Sequence, residues 1–189
     1  PQIPIYLDSP MAVNASSIFC DHLGEHRLTE KQCRDACGIA EYVREAEDSK
    51  QLNRSAMPKI IISASGMATG GRILHHLKHY APSHRNTIIL AGFQAGGTRG
   101  AALRDGATEL KIHGSYIPVR AEVAQLDMLS AHADQDELLR WLEGFRSSPQ
   151  QVFVTHGEPG ASDMLRHLVT ERLGWNARVP EHAEEVVLS

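Results

Sequence analysis

The stretch from Lys59 to Tyr80, "KIIISASGMATGGRILHHLKHY", contains the pattern that indicates the fold class. Its first six residues, "KIIISA", form an uninterrupted apolar run, which is typical of a strand whose sheet is covered on both faces. A loop rich in glycine follows, and "RILHHLKHY" then has the composition of a helix. A strand that passes through a glycine-rich loop into a helix predicts an α/β fold.

The segments before this stretch continue the alternation of strands and helices. "QIPIYL" predicts a short strand, and Asp8 or Ser9 in "DSPMA" can cap the helix that follows. Residues 11–23 and 29–48 are predicted as helices, and "SKQLNRSAMP" as a polar connection.

The segments after it follow the same order. "NTIILAG" predicts a buried strand, "AALRDG" a helix, and "ELKIHGSYIPVRAEVAQL" antiparallel strands joined by a turn. Helices are predicted at about residues 135–146 and 161–173, the second ending at Gly174, with a strand in "QVFVTHGEPG" and a last one in "EEVVLS". We therefore expect an α/β fold with a mostly parallel sheet and flanking helices.

Composition excludes several classes of protein. The chain has 189 residues, 42% of them apolar and 22% charged, which is ordinary for a globular protein. The net charge of −4 gives no overall positive field for nucleic acid, although a local basic groove is compatible with it. No apolar run approaches the roughly 20 residues of a membrane span, and the opening "PQIPIYLDSP" does not predict a signal peptide.

The three cysteines are Cys20, Cys33 and Cys37. Their odd number matches no disulfide framework, so we expect a reducing compartment and a cytoplasmic location. Cys33 and Cys37 are four residues apart in a predicted helix and could hold a metal. Free cysteines act more often as small buried apolar residues, which is the favoured interpretation.

Two loops that follow apolar strands combine glycines with an arginine: "SASGMATGGR" at residues 63–72 and "GFQAGGTRG" at residues 92–100. Glycines let a ligand approach the backbone, and a helix start offers N–H groups to an anion. We therefore predict phosphate-binding loops, with tight turns that merely require glycine as the competing interpretation. The residues predicted to contact phosphate here are Ser65, Gly66, Thr69, Gly70, Gly71, Arg72 and Arg99.

Two histidines, His132 and His156, occupy positions that suit a catalytic or metal-binding residue. Asp134 and Glu137 have the spacing of a helix cap and its reciprocal partner, so His132 lies just before a helix, between two alanines. Ser130 could hold an anion beside it, although packing or capping is commoner for a lone histidine. His156 ends an apolar strand at a sharp turn, as a metal ligand would.

Glu158 could orient the His156 ring without itself binding the metal. The competing interpretation of His156 is a helix-capping turn with an incidental histidine. The spacing of His75 and His79 could bind a metal, but no third ligand is apparent. His75, His76 and His79 are therefore predicted to lie on one exposed, solvated helix.

Five segments in order, "DSPMA", "SASGMATGGRILHHL", "GFQAGGTRG", "SAHADQDELL" and "THGEP", resemble the β-CASP family of metallo-β-lactamase-fold RNA nucleases. The resemblance covers nearly the whole chain, and 24 positions separate His132 from His156. It implies that His132 contacts the scissile phosphate and acts as general acid, that Ser130 helps to hold that phosphate, and that His156 is a zinc ligand. It also implies that the loop at 65–72 belongs to the cap over the RNA channel.

The family binds two zinc ions mainly through a His-x-His-x-Asp-His run, a further histidine and an aspartate, and this chain has no such run. We therefore expect a part of such an enzyme that is inactive alone. Residues 1–137 would form part of the β-CASP cap, and residues 138–189 the last segment of the metallo-β-lactamase αββα fold.

The leading hypothesis is a zinc-dependent ribonuclease whose partner is RNA, with no membrane and with homodimer formation left open. A non-catalytic RNA-binding or scaffold member is the alternative, against which His132 and His156 argue. A complete small phosphate-handling enzyme would need its own nucleophile or metal triad, and none is found. The family's DNA-processing members usually lack the histidine at the position of His156, which favours RNA.

Overall fold

The fold is described from a computed structural model, which describes residues 3–25, 27–126 and 132–187. The chain forms two compact units, residues 1–129 and residues 130–189. None of the described helices is long and apolar enough to cross a membrane.

The first unit alternates strands with helices, as predicted. Its elements are β1 (Ile5–Leu7), α1 (Pro10–Asp21), a 3₁₀ turn (Leu23–Glu25), α2 (Glu30–Cys37), β2 (Glu41–Tyr42), α3 (Ala46–Arg54), β3 (Ile60–Ile62), α4 (Ile73–Tyr80), β4 (Thr87–Ala91), α5 (Arg99–Arg104), β5 (Glu109–Ile112), β6 (Ser115–Pro118) and β7 (Glu122–Leu126).

Most strand pairs in this unit are parallel. β1 lies between β2 and β3 and is parallel to both, β4 pairs in parallel with β7, and β5 and β6 form an antiparallel hairpin. Leu74 and Leu77 of α4 pack with Leu90, Leu103 and other apolar residues in the core. The prediction of an α/β fold with mostly parallel strands is confirmed.

The prediction of one helix over residues 29–48 is wrong. α2 ends at Cys37 with Gly38 as its C-cap, residues 41–42 pair with β1 as β2, and α3 begins at Ala46. Most of the predicted polar connection after Asp48 belongs to α3. Pairing with β1 satisfies the backbone of β2, and this tertiary interaction outweighs the helical tendency of the sequence.

The prediction that the apolar strands are covered on both faces is wrong within the described residues. Ile60 and Ile62 of β3 and Ile89 of β4 are each about half exposed. An apolar run therefore located these strands correctly, but it did not predict how much of each strand the described part of the chain covers.

The second unit is smaller and consists of α6 (Gln135–Glu143), β8 (Val152–Phe153), α7 (Pro159–Leu173) and β9 (Ala177–Arg178). Leu139 of α6 and Val169 of α7 are buried against Trp175. Gly174 ends α7 in the left-handed conformation, with φ 67°, as predicted.

The strand predicted in "EEVVLS" is absent from its described residues, 184–187. The strand lies earlier in the chain, at Ala177–Arg178, where β9 pairs in parallel with β8. β8 supplies the hydrogen bonds and the second core covers Ala177, whereas Val187 is almost wholly exposed.

The cysteines also differ from expectation. Cys20 and Cys37 form a disulfide, and Cys33 is a buried free thiol. The prediction that no disulfide forms is therefore wrong, because the packing of α1 on α2 brings residues together that are 17 positions apart.

Candidate functional site

The first glycine-rich loop is held by bonds within itself. The Ser65 hydroxyl lies 2.9 Å from the Thr69 hydroxyl and also accepts a bond from the Thr69 backbone N–H at 3.3 Å. Gly71 has φ 80°, and a Cβ there would lie 3.0 Å from the Ala64 carbonyl oxygen, so this position requires glycine. The first N–H of α4, from Ile73, points to the same carbonyl.

Arg72, the last residue of that loop, is turned inward. Its Nη1 donates to Asp8 Oδ1 at 2.6 Å and to the Val43 carbonyl at 3.0 Å, and its Nη2 donates to the Arg44 carbonyl at 2.6 Å. The Arg72 side chain is 19% exposed and that of Asp8 is fully buried. Arg72 thus fastens the loop to the end of β1 and to the segment after β2, and any contact with phosphate would use a mostly buried side chain.

His76, predicted as solvent-exposed, is buried, which corrects that prediction. Its Nε2 donates to Asp8 Oδ2 at 2.6 Å, and its Nδ1 lies 2.8 Å from Asn53 Oδ1. Ser49 donates to the same Asp8 oxygen at 2.5 Å. One buried carboxylate therefore joins α3, α4 and the loop before α4.

The pKa values of this network follow from its geometry. Burial raises the pKa of Asp8, but the hydrogen bonds from Ser49, Arg72 and His76 outweigh it and hold that pKa below its ordinary value. Burial lowers the pKa of His76, and the charge of Arg72 acts in the same direction against the opposing effect of Asp8. Asp8 is therefore a carboxylate whose charge is stabilised inside the fold.

The second loop is tied to the first. Arg99 donates to the carbonyls of Lys111, at 2.7 Å, and Ala68, at 3.2 Å. Its charge therefore stabilises the dipoles of these carbonyl groups. Gln94 is 1% exposed and donates to the Gly66 carbonyl at 3.2 Å.

Gly100 lies against Gln94, because a Cβ at Gly100 would be 1.7 Å from Gln94 Oε1. Among the described residues that oxygen has no hydrogen-bond partner. The two glycine-rich loops are therefore packed against each other. The Gln94 side chain leaves no room for a side chain at position 100.

A cavity of about 460 Å³ lies between the first loop and the start of α1. The predicted phosphate contacts Ser65, Gly70, Gly71 and Arg72 line it. Gly66 and Thr69 are exposed on the same loop.

His132 lies in the second unit, two residues before the cap of α6. Asp134 accepts a bond from the Glu137 N–H at 2.8 Å, and the Glu137 side chain accepts from the Asp134 N–H at 3.0 Å, so the predicted capping box is confirmed. His132 is exposed, and the capping box defines the start of the helix that follows it. Ser130 lies outside the described residues.

His156 lies in the turn between β8 and α7 and is exposed, with φ 67°. Gly157 follows, and a Cβ there would lie 2.3 Å from the hydroxyl oxygen of Ser162, which is buried in α7. Glu158 is the N-cap of α7 without a side-chain cap bond, and the helix continues with Pro159. A tight turn against the start of α7 therefore presents the His156 imidazole outward.

The described residues do not form a site for a zinc pair. His156 can provide one nitrogen ligand, but the described histidine and carboxylate side chains form no group of three that could hold an ion. Among the described histidine and carboxylate residues, His156 can therefore supply one ligand to such a centre.

Sequence reasoning missed the roles of Asp8, His76 and Gln94. A signal for the first two was available: Arg72 and His76 are four residues apart on one helix face, and Asp8 ends a strand parallel to the one before Arg72. Nothing in the sequence pairs Gln94 with Gly100, since the contact depends on how the two loops pack.

Comparison with known proteins agrees with this architecture. The model of the Beta-Casp domain matches residues 1–103, and the model described as "Zn-dependent metallo-hydrolase RNA specificity domain" matches residues 116–180. The chain is 42% identical over 84% of its length to "Ribonuclease TTHA0252" of Thermus thermophilus. It is 31% identical over 82% of its length to "RNase J-like protein" of Methanocaldococcus jannaschii.

It is also 30% identical over 98% of its length to "Transcription termination factor FttA" of Pyrococcus abyssi. The matches cover 37%, 36% and 30% of these three relatives, so the chain spans about a third of their length. The domain models together extend over most of the chain, and the sequence resemblance found in five separate segments agrees with them. The chain belongs to the β-CASP family of metallo-β-lactamase-fold RNA nucleases.

Proposed function

We propose that the full-length protein is a zinc-dependent ribonuclease that hydrolyses RNA phosphodiester bonds, and that this chain contributes part of its substrate and metal contacts. The carrying observation is the pair of exposed histidines in the second unit, His132 ahead of a capped helix and His156 in a tight turn after β8. The relative named ribonuclease, at 42% identity, supports the same activity.

The proposal gives each histidine a separate task. His132 donates a proton to the leaving oxygen of the cleaved bond, an acid step that contributes about 10²–10⁴-fold in rate. Ser130 holds the phosphate beside it. His156 is one ligand of a pair of zinc ions, and Glu158 orients it. When bound, the zinc ions supply an activated water and stabilise the charge of the phosphate.

The glycine-rich loops are proposed to bind the RNA backbone rather than its bases. Backbone N–H groups and the hydroxyls of Ser65 and Thr69 suit phosphate oxygens, and no aromatic residue in the first loop offers a stacking surface. The proposed phosphate contacts remain Ser65, Gly66, Thr69, Gly70, Gly71, Arg72 and Arg99.

The domain assignment belongs to the proposal as well. Residues 1–137 form part of the β-CASP cap, and residues 138–189 form the last segment of the metallo-β-lactamase domain. A cytoplasmic location completes it, and cell fractionation tests this. Homodimer formation stays open, and solution mass measurement decides it.

The experiment compares three variants of the full-length protein. We expect His132→Ala to lower turnover with zinc retained, and His156→Ala to lower both zinc content and turnover. The matched control is His167→Ala, an exposed histidine of α7, which should change neither. Equal zinc loss in the first two variants would refute the assignment of roles.

The chain alone gives a second measurement. Because one imidazole cannot form a site that needs three or four protein ligands, the isolated chain should be inactive and should lose zinc on dialysis. A tightly bound zinc pair in this chain alone would contradict the proposal.

A second candidate is a role in transcription termination, because relatives with that name match 98% and 99% of the chain. Purified RNA separates the two: a ribonuclease cleaves it without polymerase, whereas a factor that acts only on transcribing complexes does not. A non-catalytic RNA-binding or scaffold role would leave RNA bound and uncut in both assays.

A further inference from the structure

Three cysteine sulfurs lie together in the first unit, on helices α1 and α2. Cys20 lies near the end of α1, and Cys33 and Cys37 lie in α2. The three sulfurs are all within 4.8 Å of one another, and in the described part of the chain they are the group of side chains able to hold a metal ion.

Two rigid elements fix this arrangement. Cys33 and Cys37 are one helical turn apart, so they lie on the same face of α2. A capping box of Thr29 and Gln32 sets the start of α2, and α1 packs against it and supplies Cys20. The site is therefore formed by helices whose ends are defined, not by an adaptable loop.

A disulfide explains only two of the three sulfurs. Cys20 and Cys37 are bonded, yet the Cys33 thiol is 1% exposed and lies 3.9 Å from the Cys37 sulfur. Cys20 and Cys37 are half-buried, which leaves one side of the cluster accessible to solvent. Three sulfurs converging at a partly open position are the donor set that soft cations select.

We propose that Cys20, Cys33 and Cys37, when reduced, bind one thiophilic d¹⁰ cation of the zinc class, separate from the catalytic metal pair. Three thiolates and one water complete a tetrahedral shell, with the water on the open side. The disulfide is the oxidised form of the same residues: a phosphine and one water molecule reduce it to two thiols and give the phosphine oxide. Cation binding then displaces the thiol protons.

Cadmium tests this proposal in the full-length protein, because a cadmium–thiolate bond has an ultraviolet charge-transfer absorption that nitrogen and oxygen ligands do not give. We expect phosphine-reduced protein to develop this band with one equivalent of cadmium, and added zinc to remove it. The air-oxidised protein should not develop it. Mass spectrometry of the denatured protein, which gains two hydrogen atoms on reduction, confirms the state of the disulfide.

Cys33→Ala removes the buried sulfur and should abolish the band, whereas Ser17→Ala, a change in α1 without sulfur, should retain it. Cys20→Ser at a half-buried position provides a second test if Cys33→Ala does not fold. Absence of the band in reduced wild-type protein, or its persistence in Cys33→Ala or Cys20→Ser, would overturn the proposal. The cluster would then be a disulfide beside a buried apolar thiol.

Discussion

The loops of the first unit and the turns of the second unit use polar residues in opposite ways. In the first unit, Arg72 and His76 are turned inward, and both donate to the buried carboxylate of Asp8. In the second unit, His132 and His156 are exposed, one ahead of a capped helix and one in a turn with a left-handed backbone. The sequence predicted a functional site in both regions from the same kind of signal, namely a polar residue at the end of an apolar strand or just before a helix.

Position along an element therefore does not decide whether a polar side chain serves the fold or the chemistry. A buried charge must find partners, since isolation in the interior is costly, and Asp8 has three side-chain donors. An exposed imidazole has no such requirement. The first region should therefore respond to substitution mainly in stability, and the second mainly in activity.

The largest expected effect is that of Asp8→Ala. The change leaves Arg72 and His76 without their shared acceptor, and removal of one partner from a buried charge network costs about 3–5 kcal/mol. Denaturant unfolding of the full-length protein measures it. His132→Ala, the contrasting change, should leave the unfolding midpoint unchanged, and an equal loss of stability in both would remove the distinction between the regions.

The next effect is that of Gly157→Ala. A Cβ at this position meets the Ser162 hydroxyl, and overpacking of this kind costs about 1–3 kcal/mol. We also expect less bound zinc, because the turn that presents His156 must shift. The matched control is Gly160→Ala in the same helix start, where a new Cβ would have no atom within 4 Å apart from its chain neighbours and the backbone of its own helix. A similar loss in the control would contradict the argument.

A smaller effect is expected from pH. The pKa of His76 is lowered by burial, so the unfolded chain takes up a proton more readily than the folded chain as pH falls below the ordinary value of 6.5. As the pH falls below 6.5, the free energy of unfolding should decrease by no more than about 1.4 kcal/mol per pH unit. Thermal unfolding at a series of pH values measures it, and His76→Asn should flatten the profile between pH 6.5 and the lowered pKa.

Asp8 acts at lower pH in the same sense. Its pKa is also below the ordinary value, so the stability it contributes is present above 3.8 and is lost as pH falls through the lowered pKa. A rise in stability on acidification from pH 6.5 would contradict the His76 assignment, and a rise on acidification below pH 3.8 would contradict the Asp8 assignment.

The smallest effect concerns salt, and it tests whether the glycine-rich loops also bind RNA. If Arg99 contacts a phosphate in addition to the Lys111 and Ala68 carbonyls, Arg99→Ala should reduce the salt slope of RNA affinity by about 0.7 per lost contact. Arg85→Ala, a charge change outside both loops, controls for net charge. An unchanged slope with lowered stability would make Arg99 a structural residue alone.

The order of most elements, and the loops that hold the candidate site residues, could be predicted from the amino-acid sequence alone. Apolar runs located β1, β3 and β4, and the residues Asp134 and Glu137 located the start of α6, because capping depends on neighbours three residues apart. Gly174 located the end of α7 for the same local reason. Five motif segments were sufficient to indicate the family that the domain models match.

The pairings between residues that are distant in the sequence depend on tertiary packing and could not be predicted. Strand pairing with β1 divided the predicted helix at residues 29–48, and the packing of α1 on α2 joined Cys20 to Cys37. Ser9 capped α1, which left Asp8 for Arg72, 64 positions away, and for His76. Local signals depend on neighbours along the chain and can be recognised in the sequence, whereas the partner of a buried charge is fixed by which elements the core brings together.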